Sequence, residues 1–128
     1  MVLITGGAWQ GKQEFAVNLI EKCGGEVRLA DGAFASWEQL VQATLITNFH
    51  MWVHRLLAEG SDAAAQSRQL VQKNPNAVIT VNELGCGIVP VEPFDRTWRE
   101  STGRICCELA KQAEAVYRVS CGIGVKIK

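Results

Sequence analysis

The chain opens on MVLIT, apolar up to its final threonine and closed by Gly6-Gly7. A β-branched, leucine-containing run that ends on glycines predicts a buried strand leading into a glycine loop. Beyond the loop, Phe15, Leu19, Ile20 and Cys23 recur at helical spacing, and Gly24-Gly25 supplies a stop. EVRLAD alternates like a strand, with Val27 and Leu29 on one side and Asp31-Gly32 closing it. SWEQLVQ reads as a helical turn capped by Ser36, with Glu38 too early for a capping box. ATLIT predicts a third strand. After it, NFHMWVHRLLAEG carries an apolar helical stripe of Phe49, Trp52, Val53, Leu56 and Leu57. One long helix over residues 36–59 is the alternative reading of the same stretch.

SDAAAQSRQLVQKN predicts a surface helix capped by Ser61 or Asp62 and stopped at Asn74-Pro75. AVITV is apolar throughout, as a strand covered on both faces must be, and NELGCGIVPVEP after it is a loop. Helical spacing returns from Phe94 through Trp98, Ile105, Leu109 and Ala113, and AVYRVS and IGVKIK read as two strands about a turn at Cys121-Gly122. Strands and helices alternate, so the expected architecture is α/β: a mostly parallel sheet between helix layers, with an antiparallel hairpin at the carboxyl-terminal edge.

Length and composition narrow the picture. A chain of 128 residues, 48% hydrophobic and 20% charged, suits one folded domain over residues 1–128 and no disordered tract. Lysine plus arginine number 13 and so do aspartate plus glutamate, so neither nucleic acid nor anionic lipid is expected as a partner. MVLIT has no basic leader and no apolar stretch is of membrane-spanning length, so the expected location is the cytoplasm. Five cysteines, none in a C-x-x-C pair, fit neither a disulfide framework nor zinc spacing, and are expected to be mostly buried.

The chemistry begins at GGAWQGKQ, residues 6–13. A phosphate loop follows G-x-x-x-x-G-K and then serine or threonine, because small residues let backbone N–H groups converge on an oxyanion at a helix N-terminus. Gly6, Gly11 and Lys12 satisfy the pattern after a predicted strand and before a predicted helix. Nucleotide binding is therefore assigned to Gly6, Gly7, Ala8, Gly11, Lys12 and Gln13. The lysine would reach the β- and γ-phosphates of ATP or GTP, and the usual hydroxyl would bind Mg2+. Gln13 stands in the hydroxyl's place. Asp31 and Glu83 both follow predicted strands, where ligands of such sheets bind. Either could hold a magnesium water, Asp31 being the metal candidate, and Glu83 could act as a general base beside Lys12.

VNELGCGIVP, then Arg96, Trp98, Arg99 and Gly103-Arg104, and finally GIGVKIK resemble the adenosylcobinamide kinase/adenosylcobinamide-phosphate guanylyltransferase family of cobalamin biosynthesis. GGAWQGK matches that family's opening loop. The resemblance implies a P-loop NTPase-like fold, a kinase that phosphorylates adenosylcobinamide with ATP or GTP, a guanylylated histidine in a second reaction, and a homo-oligomer, a trimer. It also places Asn82, Glu83, Gly85, Gly87 and Pro90 beside a corrinoid substrate. The departures fall on chemistry. Trp9, Gln10 and Gln13 replace the family's arginine and serines, and Thr47 or Asn48 occupies the place of an acidic residue that helps hold magnesium. The short DGAFAS replaces the segment with the GMP-accepting histidine, which neither His50 nor His54 matches. Cys106 and Cys107 stand where the family has asparagine and glutamine. Guanylyl transfer is therefore not expected, and a catalytically inactive member with a regulatory or assembly role is the alternative.

Other residues carry ordinary expectations. His50 and His54 share a helix face, but without an evident third ligand they read as solvent-facing or capping residues. Arg96, Arg99 and Arg104 read as the polar face of a helix, with anion gripping suggested only by the resemblance. Trp9 is expected to pack on a neighbour, and Cys106-Cys107 to be buried.

Overall fold

Successive side chains of a strand point to opposite faces, and the central strands here are apolar on both, which requires helices above and below. The computed structural model describes residues 1–128. Its strands are β1 (Val2–Gly6), β2 (Leu29–Asp31), β3 (Leu45–Thr47), β4 (Val78–Asn82), β5 (Ala115–Ser120) and β6 (Ile123–Lys126), ordered β2-β3-β4-β1-β5-β6 in one sheet. Every pairing is parallel except β5 with β6. The helices are α1 (Lys12–Lys22), α2 (Trp37–Gln42), α3 (Phe49–Ala58), α4 (Ala63–Lys73) and α5 (Pro93–Gln112).

The strand alternation sorts the core into two layers. Ile4, Leu45, Val78 and Val119 face α1, meeting Ala16 and Ile20. Leu3, Ile46, Ile79, Val81 and Val116 face the other way, against α3, α4 and α5 through Phe49, Trp52, Val53, Leu70, Ile105 and Leu109. Phe49 is completely buried, which contributes about 1.5–3 kcal/mol. Packing of that stripe, more than intrinsic propensity, fixes α3, half of which is Phe49, His50, Trp52, Val53 and His54, residues of modest helical preference.

Helix starts follow side-chain chemistry. Asp62 caps α4 by accepting from the N–H of Ala65 at 3.0 Å. Pro93 begins α5, where its missing N–H is not needed. Ser36 caps α2, and the capping box expected to fail is closed by Gln39: its N–H donates to the serine hydroxyl, and its amide oxygen accepts from the N–H of Ser36 at 2.8 Å. The right partner was one residue past Glu38.

Several expectations are corrected. The stretch 36–59 is not one helix, because Leu45–Thr47 is captured as a buried strand between β2 and β4. In β2 the buried residue is Ala30, while Leu29 is exposed and Val27 precedes the strand. This strand is an edge, and only its inward position meets the core. The cysteines are not mostly buried: Cys23, Cys86, Cys107 and Cys121 are exposed and Cys106 is half-buried. They fall on loop, turn and outer-helix positions that the core does not reach.

Candidate functional site

β1 delivers the chain to Gly6, whose φ is 152° and whose absent side chain allows close contact with β5: a Cβ there would overlap the carbonyl oxygen of Val119. The loop then turns through left-handed conformations at Trp9 (φ 61°) and Gly11 (φ 83°), with Gln10 between them outside that region. Alternation of hand is what makes consecutive N–H groups converge into an anion-binding nest. Gly11 is also the N-cap of α1, so the nest opens at the positive end of an 11-residue helix.

Lys12 is the first residue of α1 and is buried, its Nζ donating to the carbonyl oxygen of Gly7 at 2.6 Å. Burial holds its pKa below the ordinary lysine value, and the Glu83 carboxylate offsets part of that. Gln13 is exposed. The loop forms one wall of an open cleft of about 770 Å³, and Thr47, Asn48, Thr80 and Asn82 contribute to the opposite side. Trp9 does not pack on a neighbour as expected: it is fully exposed. Its backbone is left-handed and its indole, free of packing partners, lies at the lining of the same cleft.

Asn82 ends β4 beside this cleft and is held by His50, whose Nδ1 accepts from the Asn82 N–H at 3.4 Å while Nε2 lies 3.1 Å from the amide nitrogen. His50 is neither solvent-facing nor a cap. It is buried, stacks on Trp98, and has its pKa lowered to about 4, by burial first and by Lys12 second, with Asp31 opposing. Trp98 Nε1 donates to the His50 carbonyl at 2.7 Å. His54 is half-buried, edge-on to Phe94 and Trp98. The His50 imidazole is enclosed, while that of His54 keeps part of its surface in solvent.

Glu83 follows Asn82 and is gripped by Arg118 of β5 through two hydrogen bonds of 3.0 and 2.9 Å, with Thr5 Oγ1 donating at 3.3 Å. Hydrogen bonding from Arg118 holds its carboxyl below the usual carboxylate range. It is thus near Lys12 and ionised, but a weak base. Asp31 accepts from the Asn48 amide at 2.9 Å and the Ala33 N–H at 2.8 Å.

Of the residues assigned to a substrate side, Asn82, Glu83 and Gly85 line a second cleft of about 710 Å³ between the loop after β4 and α5. Gly87 is exposed and Pro90 half-exposed further along the same loop. Arg99 donates to the Gly85 carbonyl at 2.7 Å, Arg96 to the Pro90 carbonyl at 3.1 Å and to that of Val91, and Arg104 pairs with Glu100 at 2.7 Å. The first two arginines therefore tie the loop to α5, beyond being a solvated helix face. Cys107 is exposed and Cys106 half-buried, contrary to the expected burial, with the Cys106 thiol pushed up to about 12 by burial first and by Cys107 second. Both line the same cleft.

Reasoning from sequence missed Arg118, Thr5 and Thr80. Arg118 alone had a signal: it interrupts the apolar run of AVYRVS, near the expected carboxyl end of a strand.

The donor set of the loop cleft does not fit a magnesium ion held by the protein. Hydroxyls of Thr47 and Thr80 and amides of Gln13, Asn48 and Asn82 line it, Glu14 is its only acidic lining residue, and the Asp31 oxygens are engaged elsewhere. Magnesium on a nucleotide is held by one or two carboxylates placed with the phosphates, and Glu14, exposed on the first turn of α1, is the one carboxylate here.

A glycine nest between a central parallel strand and the helix it feeds, with the second cleft outside the same strand ends, defines a P-loop-like α/β protein. The family model described as cobinamide kinase / cobinamide phosphate guanyltransferase matches residues 30–127, and the chain belongs to that family. The bifunctional adenosylcobalamin biosynthesis protein CobU of Escherichia coli K12 is 39% identical over 79 residues, covering 60% of this chain and 44% of that protein. The protein of the same name from Salmonella typhimurium LT2 is 47% identical over 58 residues, covering 44% of this chain and 32% of that one. The matched stretches span less than half of either relative. The family match begins after the glycine loop, so the loop's assignment rests on its own geometry. No helix is long and apolar enough to cross a membrane.

Proposed function

We propose that the chain binds the phosphate tail of ATP or GTP in the loop of residues 6–13 and acts as the kinase half of a cobinamide kinase, with a corrinoid alcohol as acceptor. The observation that carries the reading is the nest itself, with Lys12 Nζ folded onto its rim at Gly7. On binding, Nζ exchanges that carbonyl for a phosphate oxygen, and Gly6, Gly7, Ala8 and Gln13 contribute backbone N–H groups. Asn82, fixed by His50, faces the same cleft from β4. The acceptor approaches along the loop after β4, by Glu83, Gly85, Gly87 and Pro90. Asp31, pinned by Asn48, serves the turn after β2. A cytoplasmic homo-oligomer, a trimer, completes the reading.

Guanylyl transfer is not part of it, since His50 and His54 are both occupied in packing. The second reading, a non-catalytic member with a regulatory or assembly role, is favoured by Glu83: an acid held ionised by Arg118 cannot readily take a proton from an alcohol.

Titration calorimetry with ATP and GTP, with and without magnesium, tests nucleotide binding. Binding by wild type that is lost in Lys12→Ala supports it. No binding, or equal binding by Lys12→Ala, refutes it. A phosphorylation assay with adenosylcobinamide then separates the two readings, since turnover dependent on Lys12 excludes the inert one.

A further inference from the structure

The β5–β6 hairpin meets the phosphate loop at both ends. Gln10 commits two acceptors to it: its carbonyl oxygen takes the N–H of Gly122 at 2.8 Å, and its side-chain Oε1 takes the N–H of Cys121 at 2.7 Å. Gly11 follows with so little clearance that a Cβ on it would stand 3.1 Å from the Gly122 Cα. At the other end of the loop, Gly6 abuts the Val119 carbonyl, and behind it Phe15 of α1 lies where any side chain on Gly124 would collide with its ring. Cys121 and Gly122 have φ of 51° and 77°, the paired positive values that a two-residue primed hairpin turn requires. That turn aims both amides at Gln10.

We infer that Gln10 is a positioning residue for the nucleotide's phosphates, clamping the loop to the carboxyl-terminal hairpin. A flexible glycine loop must lose conformational freedom to converge on an anion, and a loop already fixed in that shape loses less on binding. Gln10 is held through both its backbone and its side chain, immediately between the left-handed Trp9 and Gly11. Its side-chain oxygen is used by Cys121, so its effect on a phosphate is exerted through the loop. Coupling runs both ways: a ligand that holds the loop also protects the hairpin amides. The inference rests on the phosphate-binding reading of the loop.

Gln10→Met keeps the length of the side chain and deletes the acceptor. Calorimetry with GTP should show Kd rising about two- to tenfold, the range expected for one lost hydrogen bond. Amide hydrogen exchange, read by NMR, should show Cys121 exchanging faster in unliganded Gln10→Met, and GTP slowing Cys121 and Gly122 in wild type. Cys121→Ala retains the backbone donor and should bind as wild type does. If wild type binds, Lys12→Ala does not, and Gln10→Met binds equally well, the clamp is wrong and the phosphate site stands. Weaker binding by Gln10→Met with unchanged Cys121 exchange also overturns the clamp. No binding by wild type removes the phosphate reading and this inference together.

Discussion

Arg118 grips Glu83 with both Nε and Nη2, at 3.0 and 2.9 Å, from the strand on the far side of β1. β1 lies between β4 and β5, so this pair spans the strand that carries the phosphate loop. The acid side chain is largely covered and the arginine more than half exposed, so the pair is screened on one side and its worth lies in orientation more than in stability.

Removing the guanidinium should therefore change protonation first. In Arg118→Gln the Glu83 carboxyl should titrate higher than in wild type, because the hydrogen bonds that favour its ionised form are gone. Carbon NMR of the Glu83 carboxyl reads the midpoint directly. The sign for stability follows: a depressed folded pKa contributes stability above the unfolded value, lost as pH falls through the folded one, and that acid-side loss shrinks in the variant. An unmoved midpoint would show that the pair does not hold the charge.

Gln13 occupies the position where phosphate loops place a magnesium-binding hydroxyl. Its amide is a longer, weaker donor set for a small hard ion. GTP affinity of the wild type should change less than about threefold when magnesium is chelated, and Gln13→Ser should make it fall about tenfold on chelation. Calorimetry in magnesium and in chelator measures both. Equal magnesium dependence in the two proteins would mean that other oxygens already hold the ion.

Trp9 combines complete exposure with a left-handed backbone, two costs in one residue. An L side chain in that region is disfavoured by about 1–2 kcal/mol, which glycine avoids, though glycine loses more entropy on folding. Trp9→Gly should therefore stabilise the free protein, by up to about 1 kcal/mol in urea unfolding. A destabilised variant would show that the indole makes contacts in solution.

The layers of this fold were legible because they depend on local periodicity. AVITV could only be covered on both faces, and Gly6, Gly11 and Lys12 announced a strand, nest and helix in order. Trp9 was misread because an aromatic residue is usually buried, while this one sits on a loop that no other element covers. Leu29 was misread because alternation names two faces without saying which is inside. The partnerships of Gln10 with Cys121, 111 positions apart, and of Arg118 with Glu83 depend on which strands become neighbours. No spacing in a single chain states that β5 lies against β1.

His50 ties burial to pH. With its folded pKa near 4 and an ordinary value of 6.5, the unfolded chain binds a proton that the folded chain refuses throughout that interval. Stability from this residue is complete above pH 6.5, declines as pH falls toward 4, and changes no further below it. The interval corresponds to about 3 kcal/mol. His50→Gln cannot titrate, so the loss of stability between pH 7.5 and 4.5, measured by urea unfolding, should be smaller in the variant by about that amount. Comparison with wild type cancels the shared titration of Glu83 and the other acids. Asn82 should remain positioned if glutamine reaches its amide, and nucleotide affinity at pH 7.5 reports whether it does. Parallel pH profiles in the two proteins would show that His50 takes up its proton in the folded state and is not enclosed.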